Sequence, residues 1–236
     1  TQTVGDLHTS AGILLDDHYL FYLENGKTAK LYDLRSDELK WEQKFKERSI
    51  AEPVLYNEII YLTFINGDVA AIHYRNGGIK WQTKTGTTLR NHPLWINNNL
   101  WVFSKNGDWL KLSAENGEIL WRESMHTVVA PPASDGSIAY LASTDKNLYA
   151  FDPQTKKVLW TFSTQGVLTD QPFVTQSHII ICSWDKTLYI VDKNDGQLAF
   201  EKKFKKPLKR GVLFVNDRLY FNESNRGTYI YEPADK

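Results

Sequence analysis

The chain has a single cysteine, Cys182, in 236 residues. No internal disulfide can form, and no thiolate pair is present to hold a metal or run a redox cycle. A chain so poor in thiols is at ease in an oxidising compartment. Net charge is also absent, because 28 basic residues balance 28 acidic ones. No global field therefore draws the whole chain to nucleic acid or to an anionic membrane. No apolar run approaches the roughly 18–20 residues that span a bilayer. No segment has helical periodicity. A Gly-x-Ser-x-Gly nucleophile turn and a phosphate-cradling glycine loop are both missing. The six histidines (His8, His18, His73, His92, His126 and His178) show no metal-ligand spacing. These absences leave no cofactor, no metal and no catalytic residue to nominate.

What the chain has is aromatic side chains and repetition. Aromatics make up 13% of the residues, and eight are Trp. Such side chains fill pleated, half-buried surfaces. The stretch Leu148-Tyr-Ala-Phe-Asp-Pro-Gln-Thr-Lys-Lys-Val-Leu-Trp160 is one copy of a phrase that recurs. The copies close on Trp41, Trp81, Trp121, Trp160 and Phe200, at spacings of 40, 40, 39 and 40. A further copy begins at Thr228-Tyr-Ile-Tyr-Glu232. A period near 40 with four short strands per unit predicts an all-β, six-bladed β-propeller of four-stranded antiparallel blades. The repeat predicts one domain over residues 1–236 with no internal linker.

Each unit reads alike. An inner strand opens near Pro53, Pro93, Pro132 or Pro172, and near Ile13 and Val212 in the outermost units. Proline is tolerated where a strand starts, since no ladder donor is lost there. A tight turn and an apolar second strand follow. The turns before the third strand are Asn25-Gly26, Asn66-Gly67, Asn106-Gly107, Asp145-Lys146, Asp185-Lys186 and Asn225-Arg226. The outer hairpins use Asn76-Gly77, Asn116-Gly117 and Asp195-Gly196, pairs that accept positive φ. The closing aromatics are read as structural wedges between neighbouring blades. One period before Trp41 lies Thr1. Thr1–Val4 is therefore expected to supply the outer strand that the last unit lacks, closing the ring and removing a bare sheet edge. A first residue other than Met implies that a signal peptide, a lipid anchor or another domain has been removed.

The phrase Leu-Tyr-Ala-Phe-Asp…Lys-Val-Leu-Trp with polar-Gly turns resembles the PQQ-like (quinoprotein-dehydrogenase-like) repeat. The Trp-Asp pair in Ser183-Trp184-Asp185 follows the second strand, out of phase with the WD40 pattern. The dehydrogenases of this family carry a vicinal disulfide, a calcium site and an Asp base. The lone cysteine and the missing carboxylate–amide cluster argue against PQQ binding. The resemblance implies instead a non-catalytic, BamB-like member that docks on a partner protein through loops at one end of the ring. Leu89-Arg90 is similar to a Leu-Arg loop that such members use for their partner. Localisation is then periplasmic or extracytoplasmic, with any membrane anchor lying outside this chain.

The loops before the first strand and those between strands two and three share one end of a propeller. They carry Arg48, Leu89, Arg90, His92, Asp170, Trp184, Asp185 and Arg210, the candidate partner-binding residues. An interaction scaffold, acting as a monomer on a protein partner, is the leading function. A small-ligand sensor domain and an enzyme with a funnel site are the alternatives. The basic run Lys202–Arg210 is read first as a charged outer strand and junction, since it lacks the interleaved stacking aromatics of a nucleic-acid groove. No nucleic-acid partner is expected.

Overall fold

Strand formation follows the repeat closely. In the computed structural model, the described residues are 9–15, 18–128, 130–215, 218–223 and 227–231. All regular structure among them is β, in six antiparallel sheets. Sheet I comprises Thr9–Leu15, Tyr19–Glu24, Thr28–Asp33 and Glu38–Lys44. Sheet II comprises Val54–Tyr56, Ile59–Thr63, Asp68–His73 and Ile79–Lys84. Sheet III comprises Leu94–Ile96, Asn99–Phe103, Asp108–Ser113 and Ile119–Ser124. Sheet IV comprises Ala133–Ser134, Ala139–Ala142, Asn147–Asp152 and Lys157–Ser163. Sheet V comprises Phe173–Val174, His178–Cys182, Thr187–Asp192 and Leu198–Lys203. Sheet VI has three strands, Leu208–Val215, Arg218–Glu223 and Gly227–Tyr231. Within every sheet, consecutive strands pair in sequence order. Residues Thr1–Met125 and His126–Lys236 form two compact units, holding sheets I–III and IV–VI respectively. The expected closing strand Thr1–Val4 lies outside the described residues, as do His8 and the turns at Asp16-Asp17, Asn216-Asp217 and Asn225-Arg226.

The first strands depart from expectation in an informative way. In sheets II–V they begin one residue after Pro53, Pro93, Pro132 and Pro172, and are only two or three residues long. In sheets I and VI they run for seven and eight residues. There Ile13 and Val212 stand in the proline slot of the repeat and each keeps a donor, so the ladder extends backward past an irregular register. Asn57, Glu58, Asn97 and Asn98 all have positive φ, between 47° and 61°. That is the backbone of the tight hairpin turns read from the sequence.

Each outer hairpin of sheets I–V carries a bulge directly beside its closing aromatic. Leu31 pairs Trp41, Ala71 pairs Trp81, Lys111 pairs Trp121, Ala150 pairs Trp160 and Ile190 pairs Phe200, and the register shifts at the next residue. A bulge turns a side chain out of the regular alternation. In sheets I, II and IV it turns the indole toward the following sheet. Trp41 donates from Nε1 to the Tyr74 carbonyl (2.8 Å), Trp81 to Ala114 (3.0 Å) and Trp160 to Lys193 (3.1 Å), each 33 residues ahead. Gly77, Gly117 and Gly196 lie under these rings, where a Cβ would come within 2.5–2.6 Å of indole carbons. Those glycines thus serve twice, for positive φ and for the close approach of a ring from the preceding sheet. Trp121 packs its ring 5.6 Å from Trp101. Phe200 is 44% exposed, whereas Trp81 is 8% exposed. The positions that would cover Phe200 by the same spacing lie outside the described residues.

The cores lie between sheets. Phe21, Leu23 and Leu31 of sheet I pack with Ile60, Leu62 and Ile72 of sheet II. Tyr61, Val69 and Trp81 pack with Leu100, Val102 and Leu110 of sheet III. In the second unit, Tyr140, Leu148 and Ala150 pack with Ile179, Ile181 and Val191.

Candidate functional site: the loop end of the sheets

Loops before the first strand are tied by hydrogen bonds to the turns between strands two and three, so both sets sit at one end of their sheets. In the first unit, Ile65 N donates to the Arg48 carbonyl (2.9 Å) and Ser49 N to Gly26 (2.8 Å). The Thr63 hydroxyl donates to the Asn91 carbonyl (2.7 Å), and that of Thr85 to Gly67 (2.6 Å). The second unit repeats the device. Leu168 N donates to Ser143 (3.1 Å), Trp184 N to Val167 (3.1 Å), and the Ser143 hydroxyl to Thr127 (2.7 Å). Most donors are main-chain N–H groups or Ser and Thr hydroxyls, so the loops are held by their own backbone.

On this framework the candidate residues separate. Arg48 and Arg90 are exposed, and Arg90 projects from the loop that opens sheet III. His92 is half-buried and its Nδ1 lies 3.2 Å from the Pro93 carbonyl. Leu89 is corrected from a surface contact to a core residue. It is 1% exposed and belongs to the apolar cluster between sheets II and III. Loop position placed it at the surface, but its apolar side chain gains more by burial. It anchors the loop that presents Arg90.

In the second unit, Trp184 is 53% exposed, while its Nε1 donates to the Thr169 hydroxyl (2.9 Å). One edge of the indole is thus fixed and the rest faces solvent. Neighbouring Asp185 accepts from Tyr189 OH (2.9 Å), Thr187 N (2.9 Å) and Gln165 N (3.0 Å). Burial alone would raise its pKa, but these donors together with Ser183 outweigh burial and hold the carboxyl below the ordinary value. Asp185 is therefore an anionic clasp between two loops. Asp170 is half-buried beside Cys182. Burial first, and the Asp170 charge second, push the Cys182 thiol up to about 12, so it is not a nucleophile at neutral pH. The side chain of Arg210 lies outside the described residues, although its backbone belongs to the first strand of sheet VI.

A feature that single-residue reading missed is the clasp at His126, Asp145 and Tyr149. The His126 ring stacks on Tyr149 at 4.0 Å and its Nδ1 lies 3.4 Å from an Asp145 oxygen. The same oxygen accepts from Tyr149 OH at 2.6 Å. Asp145 and Tyr149 occur one period before Asp185 and Tyr189, so an Asp-x-x-x-Tyr repeat was the signal that could have found it. Among the described residues, no group of three or more His, Cys, Asp and Glu is placed to hold a metal. The arrangement can present Arg and Trp side chains on braced loops, which is the chemistry of a protein-binding surface.

Comparison with known proteins gives the same outline. The family profile described as outer membrane protein assembly factor BamB matches residues 2–97 and 105–235. The crystal structure of BamB from Moraxella catarrhalis superposes with a TM-score of 0.80 at 15% identity, over 98% of this chain and 76% of that one. The crystal structure of the computationally designed Ika8 protein gives 0.83 at 12% identity, over 95% of this chain and 71% of that one. At these identities the likeness concerns the fold alone. No curated protein matches the chain.

Proposed function

The chain belongs to the BamB family of PQQ-like β-propellers, and from that premise we propose that it is a non-enzymatic adaptor in a bacterial envelope assembly. It presents the loop end of its sheets to a protein partner, from the extracytoplasmic side. The observation that carries this reading is the braced loop end of the first unit, with exposed Arg48 and Arg90. Arg anchors on pre-ordered loops lose little entropy when a partner docks.

The test is capture from envelope extract with the chain as bait, beside an Arg48→Glu/Arg90→Glu double variant and an Arg35→Glu/Lys80→Glu control on exposed residues towards the opposite end of sheets I and II. Reversal at two anchors should weaken capture by nearly a thousandfold, at about 2 kcal/mol per hot-spot side chain. Equal capture by the double variant and the control would refute the loop end as the interface.

The six sheets are further proposed to be the blades of one ring-shaped domain over residues 1–236, closed by Thr1–Val4 as the fourth strand of sheet VI. Sheet VI has three strands where the other five have four, which supports the reading. Deleting residues 1–8 spares the strand that starts at Thr9, and should lower the melting temperature by several degrees. An unchanged melting temperature would rule out the closure.

A further inference from the structure

The outer strand of sheet V stands apart from its counterparts. All six residues of Leu198–Lys203 are exposed, whereas each of the other four outer strands keeps at least one residue half-buried or buried. Phe200 occupies the slot of the docking tryptophans but remains open to solvent. Directly after it come Lys202, Lys203, Lys205 and Lys206, all exposed. Exposed Lys186 joins them from the neighbouring turn, because its carbonyl accepts from Phe204 N at 2.7 Å. Phe204 packs on the cluster containing Leu188 and Leu208, so the backbone that carries the lysines is anchored. Lys202 Nζ lies 5.7 Å from the Phe204 ring centroid.

Four of these charges are not neutralised locally. Among the described residues, Lys186, Lys202, Lys203 and Lys205 have no carboxylate partner. Glu201 is the sole acid between Leu198 and Arg210. Asp185 in the adjoining turn is anionic, but it accepts from Tyr189, Thr187 and Gln165 and forms no ion pair with Lys186, Lys202, Lys203 or Lys205. In a chain with no net charge, this is a segregated basic edge with an uncovered aromatic ring inside it.

We propose that this edge of sheet V rests on the surface of a bilayer containing anionic phospholipid, with the lysines on headgroup phosphates and Phe200 in the interfacial layer. Basic side chains near an anionic leaflet each contribute, and an aromatic ring adds apolar burial at the boundary. A nucleic acid fits less well, because Phe200 is the single aromatic of the strand Leu198–Lys203, too few rings to form a stacking platform along it. The surface is distinct from the arginine-bearing loops of the first unit, so it can be tested separately from protein capture.

The experiment is flotation of the chain with phosphatidylcholine vesicles, with and without phosphatidylglycerol, at low and high salt. Binding should require phosphatidylglycerol and be released by salt. A Lys202→Gln/Lys203→Gln/Lys205→Gln variant should bind about a hundredfold more weakly, at about fivefold per lysine. Phe200→Ser should lose about tenfold, from the apolar burial forgone. A Lys46→Gln/Lys84→Gln/Lys105→Gln control makes the same change in net charge elsewhere and should bind as the parent does. Circular dichroism confirms that each variant is folded. The proposal is overturned if the parent does not float with anionic vesicles, or if the two triple variants behave alike. Displacement of the vesicles by a single-stranded oligonucleotide that binds more tightly would overturn it as well.

Discussion

Replacing Trp81 by Ala should lower the unfolding free energy by about 3–5 kcal/mol, the usual cost of removing a large buried aromatic. In a chain of this length that corresponds to a melting temperature lower by about 10 °C. Three losses combine at one position. The indole is 8% exposed, so its removal opens a cavity between sheets II and III. The Ala114 carbonyl loses its Nε1 donor at 3.0 Å. The ring also covers Gly117 and sits 6.0 Å from Tyr61, and both are bared. Trp81→Phe should fall between the two, since it restores most of the apolar area but not the hydrogen bond. Phe200→Ala provides the internal contrast. With its ring 44% exposed, the loss should stay near 1 kcal/mol or below. Urea melts of the three variants decide the matter. Equal destabilisation by Trp81→Ala and Phe200→Ala would mean that the closing aromatics do not act as wedges between sheets.

Gly67→Ala should destabilise by about 4 kcal/mol, combining backbone strain with overpacking. Gly67 has a φ of +92°, and a Cβ there would lie 1.8 Å from the Thr87 carbonyl oxygen. The obstacle is backbone, which cannot swing aside as a side chain would. The same glycine accepts from Thr85 through both its amide (3.1 Å) and its hydroxyl (2.6 Å). Pushing it away therefore loosens the loop that leads to Leu89 and Arg90. Gly86→Ala separates the two causes. Gly86 has a φ of +73° but nothing within 4 Å of a Cβ, so only the conformational cost of about 1 kcal/mol applies. Hydrogen exchange across residues 85–91 should rise in the Gly67 variant and stay unchanged in the Gly86 variant. If the two variants melt together, the close approach at Gly67 carries no energetic weight.

Both contrasts show where sequence reading reaches and where it stops. The Trp and Asn-Gly positions were visible as separate repeats, and each had a local explanation. Their meeting, with the ring of one unit lying on the glycine of the next, was not visible. It depends on a bulge beside each closing aromatic, and no residue type marks that bulge. Leu89 and Phe200 differ in burial from what their places in the repeat suggest. Leu89 sits in a loop, where position predicts exposure, yet an apolar pocket lies beside it. Phe200 holds a wedge slot, yet lacks the cover that buries its counterparts among the described residues. The long first strands of sheets I and VI were legible in principle, because Ile13 and Val212 replace proline there.

The sequence alone determined the all-β class, the period near 40, the strand and turn positions and the closing aromatics. These follow from two-residue alternation and from turn residues that accept positive φ, both properties of the chain over a few residues. Tertiary structure alone decided which loops brace one another, which candidate residues face solvent, and which lysines lack a counter-ion. Those outcomes rest on contacts between residues some 15–40 positions apart, such as Thr63 with Asn91 and Gln171 with Pro132. Burial and charge compensation are properties of a residue's neighbours in space. The linear order leaves those neighbours open until the sheets have packed.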